Sequence, residues 1–298
     1  MRELVFDRQF NAVPGEVEVL SPLVRRVVAG NAGPYTFKGT STFIVGRGQV
    51  AVIDPGPDDP AHLDRLLHAL RGETVSHILV THSHADHSPL APALRQATGA
   101  RTHAYGAVAA PGGVAGLRLD ASIDHSFAPD INLRDGDAVT GPGWTLRALF
   151  TPGHMSNHLC FALAEEQALF SGDHVMSWAT SVIAPPDGDM GQYFISLEKL
   201  LGRNDLVYHP GHGPSRRDPL SLVQGYLAHR RLREEAIRTS VENGARSVRD
   251  VVAVVYEGLD PALHGAASLS ATAHLEHLVA QGRLRVSDGV YEAVPGKR

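Results

Sequence analysis

Cysteine is almost missing: Cys160 is the single thiol in 298 residues, so neither an intramolecular disulfide nor a zinc-thiolate cage can form. It lies in the apolar run "HLCFAL", the setting of a packed core thiol. Lysine is nearly as scarce, with Lys38, Lys199 and Lys297 the only three among 27 positive residues, an arginine bias read as genome composition rather than function. No stretch approaches the roughly eighteen apolar residues of a membrane span. The opening "MRELVFDRQFNAVPGEV" lacks the charged-then-apolar order of a signal peptide. There is no internal repeat and no low-complexity tract, and a formal net charge of -5 marks no polyanion binder. These absences predict a globular protein of the cytoplasm without a membrane partner, long enough for one large domain and a small one.

What is present in excess is histidine, at 17 residues. Short β-rich runs alternate with helical patterns along the first part. "STFIVG" (41–46) and "QVAVID" (49–54) read as strands around an Arg47-Gly48 turn. "AHLDRLLHALRG" carries leucines at helical spacing, and "VSHILVT" (75–81) is a buried strand. From about 117 to 175 the pattern is mostly β, including "WTLRALFT", "HLCFAL" and "QALFSGD". "DGDMGQYFISLEKLLG" reads as a loop entering a helix, "LVYHPGHGP" as a strand entering a turn, and 219–241 as a long amphipathic helix. This order predicts α/β layers. The end of the chain has a different grammar: a capping-box-like start at Ser247 and Asp250, a second helix in "SLSATAHLEHLVAQG", and a hairpin around Asp288-Gly289. Helix, helix and hairpin suggest a winged-helix-like module at 240–298, behind a larger unit at 1–239.

The chemistry concentrates in "THSHADHSP" (81–89), where three imidazoles and a carboxylate occupy six consecutive residues, His82 to His87. A solvated loop has no need of that density and a core would be destabilised by it, but neutral imidazole and carboxylate suit Zn²⁺ and related ions. Following a strand, the loop can turn His82 and His84 to one metal and Asp86 and His87 to another. Two metals need more ligands than one turn presents. His154 in "FTPGHMSNH", Asp173 in "LFSGDH" and His212 in "YHPGHGP" each follow an apolar strand and sit beside glycine, which lets backbone approach a crowded site.

In these motifs, over about residues 40–215, the sequence resembles the metallo-β-lactamase superfamily. The resemblance implies a four-layer αββα sandwich with two divalent ions at one edge, most naturally Zn²⁺, with Mn²⁺ or Fe fitting the same ligands. It further implies that His82, His84 and His154 hold one ion, that Asp86, His87 and His212 hold the other, and that Asp173 bridges them. Members that hydrolyse β-lactams often carry cysteine or another residue at the bridging position. Asp173 is similar instead to the two-metal branch that includes glyoxalase II, ribonuclease Z and many thioesterases. "AHRRLREEAI" (228–237) and "APPDGDMGQYFISLEKLL" resemble the lactamase-β-like protein 2 group, which appends a small C-terminal domain and whose animal members are associated with single-stranded RNA cleavage.

The resulting expectation is a hydrolase in which a hydroxide bridging two metals attacks a small ester, thioester or lactone, with Asp86 orienting it or moving its proton. Single-strand RNA cleavage and a metal-stabilised binding protein are the alternatives. Among further candidates, Asp54 either supports the ligand loop by hydrogen bonds or is a turn residue. His158 either braces the site or sits in the core, and His174 lines the pocket if its side chain points inward. In "SWATSVIAPPDGDMGQY" (177–193), Trp178 and Tyr193 either contact substrate or pack. Arg230, Arg231 and Arg233, flanked by Glu234 and Glu235, read as a solvated helix face. Residues 240–298 hold six basic and seven acidic side chains, too few cations for a duplex-DNA reader. That module is expected to pack on the large domain or on a second copy in a homodimer.

Overall fold

In the computed structural model, residues 4–108, 123–260 and 263–295 are described. The first few positions of the β-rich stretch expected from about 117 lie outside them, as do Lys297 and Arg298. Strands that are apolar on both faces must be covered on both faces, and this requirement organises the molecule. A seven-stranded sheet comprises β1 (Val17–Val19), β2 (Val24–Val28), β3 (Ser41–Arg47), β4 (Gln49–Ile53), β5 (Thr74–Leu79), β6 (Arg101–Ala104) and β7 (Ile131–Asn132), in that spatial order. It is antiparallel as far as β4 and parallel beyond. The parallel crossovers run through α1 (Pro60–Ala69) and α2 (Ala91–Thr98).

The second sheet has six strands: β8 (Ala138–Gly141), β9 (Trp144–Phe150), β10 (Leu159–Leu163), β11 (Ala168–Gly172), β12 (Val207–Pro210) and β13 (Arg216–Arg217). Between β11 and β12 lies α3 (Met190–Leu201), and α4 (Pro219–Glu242) follows β13. Strand alternation divides the apolar residues into layers. Phe43, Val45, Ala51 and Ile53 meet Trp144, Leu146 and Phe161 between the sheets. Ile44, Val50, Val52 and Ile78 pack beneath Leu66 and Leu94 of α1 and α2. Cys160, Ala162 and Leu169 pack beneath Tyr193 and Leu197 of α3 and Leu222 and Tyr226 of α4. This is the expected four-layer αββα sandwich, with Cys160 a fully buried core thiol.

The C-terminal module contains α5 (Val248–Val255), α6 (His264–Ala280) and the hairpin β14 (Leu284–Ser287) and β15 (Val290–Ala293). Both halves of the Ser247/Asp250 capping box are made. Asp288 and Gly289 have φ of 49° and 75°, as a two-residue primed turn requires. Ile237 and Val241 of α4 belong to this module's core with Val251, Leu275 and Leu284. The expected division at 239/240 therefore falls inside a continuous helix.

The helix face around Arg230, expected to be solvated, is partly buried. Arg230 and Glu234 are not solvated: they are 3% and 7% exposed, because α4 is flanked by α3 on one side and α6 on another. Residues four apart share a helix face, so both turn towards α6. Glu234 accepts hydrogen bonds from Nδ1 of His274 and of His277, at 3.2 and 2.8 Å. Arg231, one position along, remains exposed beside Glu198. Among the described residues no helix is long and apolar enough to cross a membrane.

Candidate metal centre

The centre forms where several chain segments leave their strands at one edge of the sandwich. After β5 the chain turns at Thr81, and Asp54, directly after β4, holds that turn. Asp54 Oδ1 accepts from the Thr81 amide at 2.7 Å, and Oδ2 accepts from Thr81 Oγ1 at 2.8 Å and from His87 Nδ1 at 2.9 Å. The residue is 1% exposed and has a φ of 50°, a left-handed conformation that costs an L-residue energy and persists only where surroundings over-determine it. Asn157 ties the same loop from the other sheet, donating to Ser83 Oγ at 2.6 Å and the Gly106 carbonyl at 3.0 Å.

The loop after β9 brings His154, the end of β11 brings Asp173, and the turn after β12 brings His212. His82 Nε2 and His154 Nε2 approach His84 Nδ1 at 3.0 and 3.1 Å. On the other side His87 Nε2 lies 3.4 Å from His212 Nε2, and Asp86 Oδ2 is 3.1 Å from His212 Nε2. Asp173 stands between the groups, with Oδ2 3.2 Å from His212 Nε2 and 3.8 Å from His154 Nε2, and Oδ1 3.5 Å from His87 Nε2. All seven side chains expected from the sequence converge, in three overlapping clusters: His82, His84 and His154; His82, His87 and Asp173; and Asp86, His87 and His212. His84 and Asp86 are the most exposed of the seven, so they mark the mouth.

Hydrogen bonds behind the rings fix which nitrogen faces inward. His154 Nδ1 donates to the Val182 carbonyl at 2.6 Å and His212 Nδ1 to the Gly39 carbonyl at 3.3 Å. His87 Nδ1 donates to Asp54, and His82 Nδ1 faces Thr81 Oγ1 at 2.9 Å, a hydroxyl whose proton already goes to Asp54. A neutral imidazole has one donor and one lone pair, so Nε2 of His82 and of His154 presents a lone pair inward, and His87 and His212 do the same once their Nε2 protons leave. His84 Nδ1 has at most one proton for the two lone pairs against it. Asp173 Oδ1 is buried with no hydrogen-bond partner among the described residues. Converging lone pairs and carboxylates of this kind repel one another unless cations sit among them, so the donor set fits divalent metal ions.

The electrostatics agree. Burial pushes His84 down to about 3 and lowers His82 and His154 as well, with neighbouring rings adding to the effect for His82 and His84. All three are thus kept neutral, the form that can bind a metal ion. Burial also opposes charge on His87 and His212, but the adjacent carboxylates outweigh it: His87 rises well above the ordinary value and His212 to about 9. Asp86 and Asp173 move below the carboxylate range despite their burial, because His87 and His212 face them. Two ionised carboxylates here attract positive charge, which metal ions supply as well as protons do.

The surrounding residues differ in how they meet expectation. His158 is fully buried, its ring 5.1 Å from that of His82, with Nδ1 3.0 Å from Thr151 Oγ1. His174 is equally buried, edge-on to Tyr193 at 4.7 Å. Tyr193, expected to touch substrate or to pack, is 0% exposed, and its hydroxyl donates to the His174 carbonyl at 2.7 Å. The structure places it in the α3 layer. Trp178 is partly exposed and stacks on Phe37 at 4.8 Å, beside Gly213, where an added Cβ would meet the indole at 2.8 Å. Thr40 and Asn31 escape sequence reasoning. Asn31 Nδ2 donates to Thr40 Oγ1 at 2.9 Å, which leaves the Thr40 proton for Asp86 Oδ2, 3.5 Å away.

Comparison with known proteins matches this architecture. The family model for the metallo-β-lactamase superfamily matches residues 34–212, and that for the β-lactamase associated winged helix domain matches residues 247–292. An atrochrysone carboxyl ACP thioesterase of Aspergillus terreus is 31% identical over 282 residues, 87% of this chain and 80% of that protein. Lactamase-like protein adaB of Aspergillus niger is 31% identical over 238 residues; the match takes in 76% of this chain but 66% of that protein, just under two thirds of its length. Among solved structures, a β-lactamase domain protein from Burkholderia ambifaria superposes with a TM-score of 0.77 at 21% identity, covering 95% of this chain and 96% of that one. A metallo-β-lactamase family protein from Thermus thermophilus gives 0.74 at 21% identity, covering 93% and 100%. These structures share the fold. The sandwich, the convergent ligand-type residues and the family match lead to one assignment: the chain belongs to the metallo-β-lactamase superfamily and carries its associated winged-helix domain.

Proposed function

We infer that the protein is a metal-dependent thioester hydrolase. His82, His84 and His154 would hold one divalent ion and Asp86, His87 and His212 a second, with the Asp173 carboxylate between the two groups. Zn²⁺ suits this mixture of imidazole and carboxylate. The observation that carries the reading is the likeness, over 87% of this chain, to a relative named as an acyl carrier protein thioesterase. Bound there, two divalent ions would polarise a carbonyl oxygen and make water more acidic.

Asp86 does the proton work. It is the carboxylate at the mouth, 21% exposed at its side chain, and His87 and His212 outweigh its burial to keep it ionised, the form that can accept a proton from the attacking water. Thr40, oriented by Asn31, holds that carboxylate in place by donating to it. A base of this kind suits a leaving group that needs no acid. Water forms a bond to the carbonyl carbon, the carbon–sulfur bond breaks, and the sulfur departs as a thiolate, whose conjugate acid has a pKa of about 8.5.

The test is a panel of acyl-pantetheine thioesters, matched oxygen esters, lactones and labelled single-stranded RNA, run with metal-loaded protein. Free thiol should appear with the thioesters, stop with a chelator and return with Zn²⁺. Asp86→Ala should lower kcat by at least ~10²-fold, the scale of general acid–base effects. Cleavage of RNA with no thiol release would replace this reading by the nuclease one.

A further inference from the structure

The guanidinium of Arg230 is buried where, among the described residues, no carboxylate pairs with it. At 3% exposure, its Nη2 donates to the Ser181 carbonyl and its Nη1 to Ser270 Oγ on α6 at 3.2 Å. Its plane lies over the Tyr193 ring at 5.5 Å. Burying a cation without a carboxylate partner is costly, and three unrelated segments of the fold converge to accommodate it: the loop after Asp173, α3, and the C-terminal module.

The loop is the informative contact. Ser181 is held a second time by its own hydroxyl, which donates to the His174 carbonyl at 2.9 Å. The next peptide carries the Val182 carbonyl, which takes the His154 Nδ1 proton at 2.6 Å. That bond decides which nitrogen of His154 faces His84 and Asp173. With Ser181 held at both its carbonyl and its hydroxyl, Val182 has little freedom to turn away. Such partners behind a ligating ring set its orientation and basicity.

We propose that Arg230 is a positioning residue that holds the 181–182 backbone in register for His154 and, through Ser270, makes the three-imidazole group depend on the docked C-terminal module. This rests on the metal-dependent reading above, but it is tested without substrate. Cobalt titrations of apo-protein in an Asp86→Ala background, which takes one side chain from the other group and leaves His82, His84 and His154 intact, read mainly the three-imidazole group. Arg230→Met should weaken cobalt binding there by about 10–100-fold, the range for partners behind a ligand. Arg230→Lys, which keeps the charge and one donor, should recover part of the loss. Ser270→Ala should shift affinity in the same direction by less, and Arg231→Met, on the exposed neighbour, should not shift it.

A purely structural Arg230 would lower the apo-protein's melting temperature and leave the cobalt isotherm where it was; that result, in Arg230→Met or in Ser270→Ala together with Arg230→Lys, overturns the proposal. The two readings fail separately. A wild-type chain that takes up no cobalt removes the metal reading and this proposal with it. A normal wild-type isotherm unmoved by the Arg230 variants removes the proposal alone.

Discussion

Replacing Asp54 by Asn changes one atom of nearly the same size and should disable one half of the proposed metal centre. Oδ1 can go on accepting from the Thr81 amide at 2.7 Å. In place of Oδ2 stands an NH2 group, facing Thr81 Oγ1 and His87 Nδ1, both of which donate to the native carboxylate at 2.8 and 2.9 Å. Donor against donor is untenable in a residue 1% exposed. The lowest-cost rearrangement moves the His87 proton from Nδ1 to Nε2, and the lone pair facing Asp86, Asp173 and His212 disappears. Losing a partner of this kind typically costs 10–100-fold in metal affinity, about 1.4–2.7 kcal/mol. The lost charge-assisted bonds add roughly 1.5–3 kcal/mol to the loss of apo-protein stability. Cobalt titration of apo-protein, followed by visible absorption and calorimetry, should give two equivalents for the wild type. Asp54→Asn should retain one near wild-type affinity, on the His82–His84–His154 side, and weaken the other. Equal weakening of both, or of neither, would refute the tautomer argument.

Three further outcomes follow from single contacts. An added Cβ at Gly211 would lie 2.5 Å from Asp173 Oδ1 and 2.7 Å from His87 Cε1, so Gly211→Ala should keep far-ultraviolet circular dichroism intact and lose metal content by elemental analysis. Tyr193→Phe should cost about 1 kcal/mol in denaturant unfolding and leave KM unchanged, because the hydroxyl is engaged with His174; a several-fold rise in KM would return the residue to substrate contact. Burial lowers His274 to about 4, against which the Glu234 hydrogen bond pulls upward. The unfolded chain therefore binds one more proton than the folded one between pH 6.5 and 4, and stability falls as pH drops through that window. His274→Gln should reduce this loss by on the order of 2–3 kcal/mol, measured as the difference in unfolding free energy between pH 7 and pH 4.5; an unchanged slope would contradict the assignment.

The ligand-type residues were legible because each is a side chain with distinctive chemistry at the end of an apolar strand, and strand ends at one edge of a sandwich necessarily meet. The layers were legible for a related reason: "STFIVG" and "QVAVI" have no polar face to give to water. What lay behind the ligands was not legible. Val182 and Gly39 act through carbonyl oxygens, which every residue has, and Thr40 approaches Asp86 only because a bridge joins it to His212. Trp178 and Tyr193 looked alike as aromatics in one irregular stretch, yet one is partly exposed and the other lies in a core. The direction of a loop side chain is a tertiary property that adjacent sequence does not encode. Arg230 was misread for the same reason, since a charge run identifies a solvated face only on a helix with a single packed side.

The continuity of α4 imposes a rule on insertions and deletions. Tyr226 belongs to the core beneath the second sheet and Ile237 to that of the C-terminal module, and no loop intervenes to absorb a change of length. Each residue added between them turns everything beyond by about 100° and advances it about 1.5 Å. One extra residue would swing Ile237 and Val241 out of the second core while Leu222 and Tyr226 stayed in the first. Seven would restore the angle to within about 20° but carry the module roughly 10 Å along the helix axis, away from Ser270's contact with Arg230. Between positions 226 and 237 the spacing is therefore fixed in both rotation and translation, and length variation has room only in the turns that flank the helix.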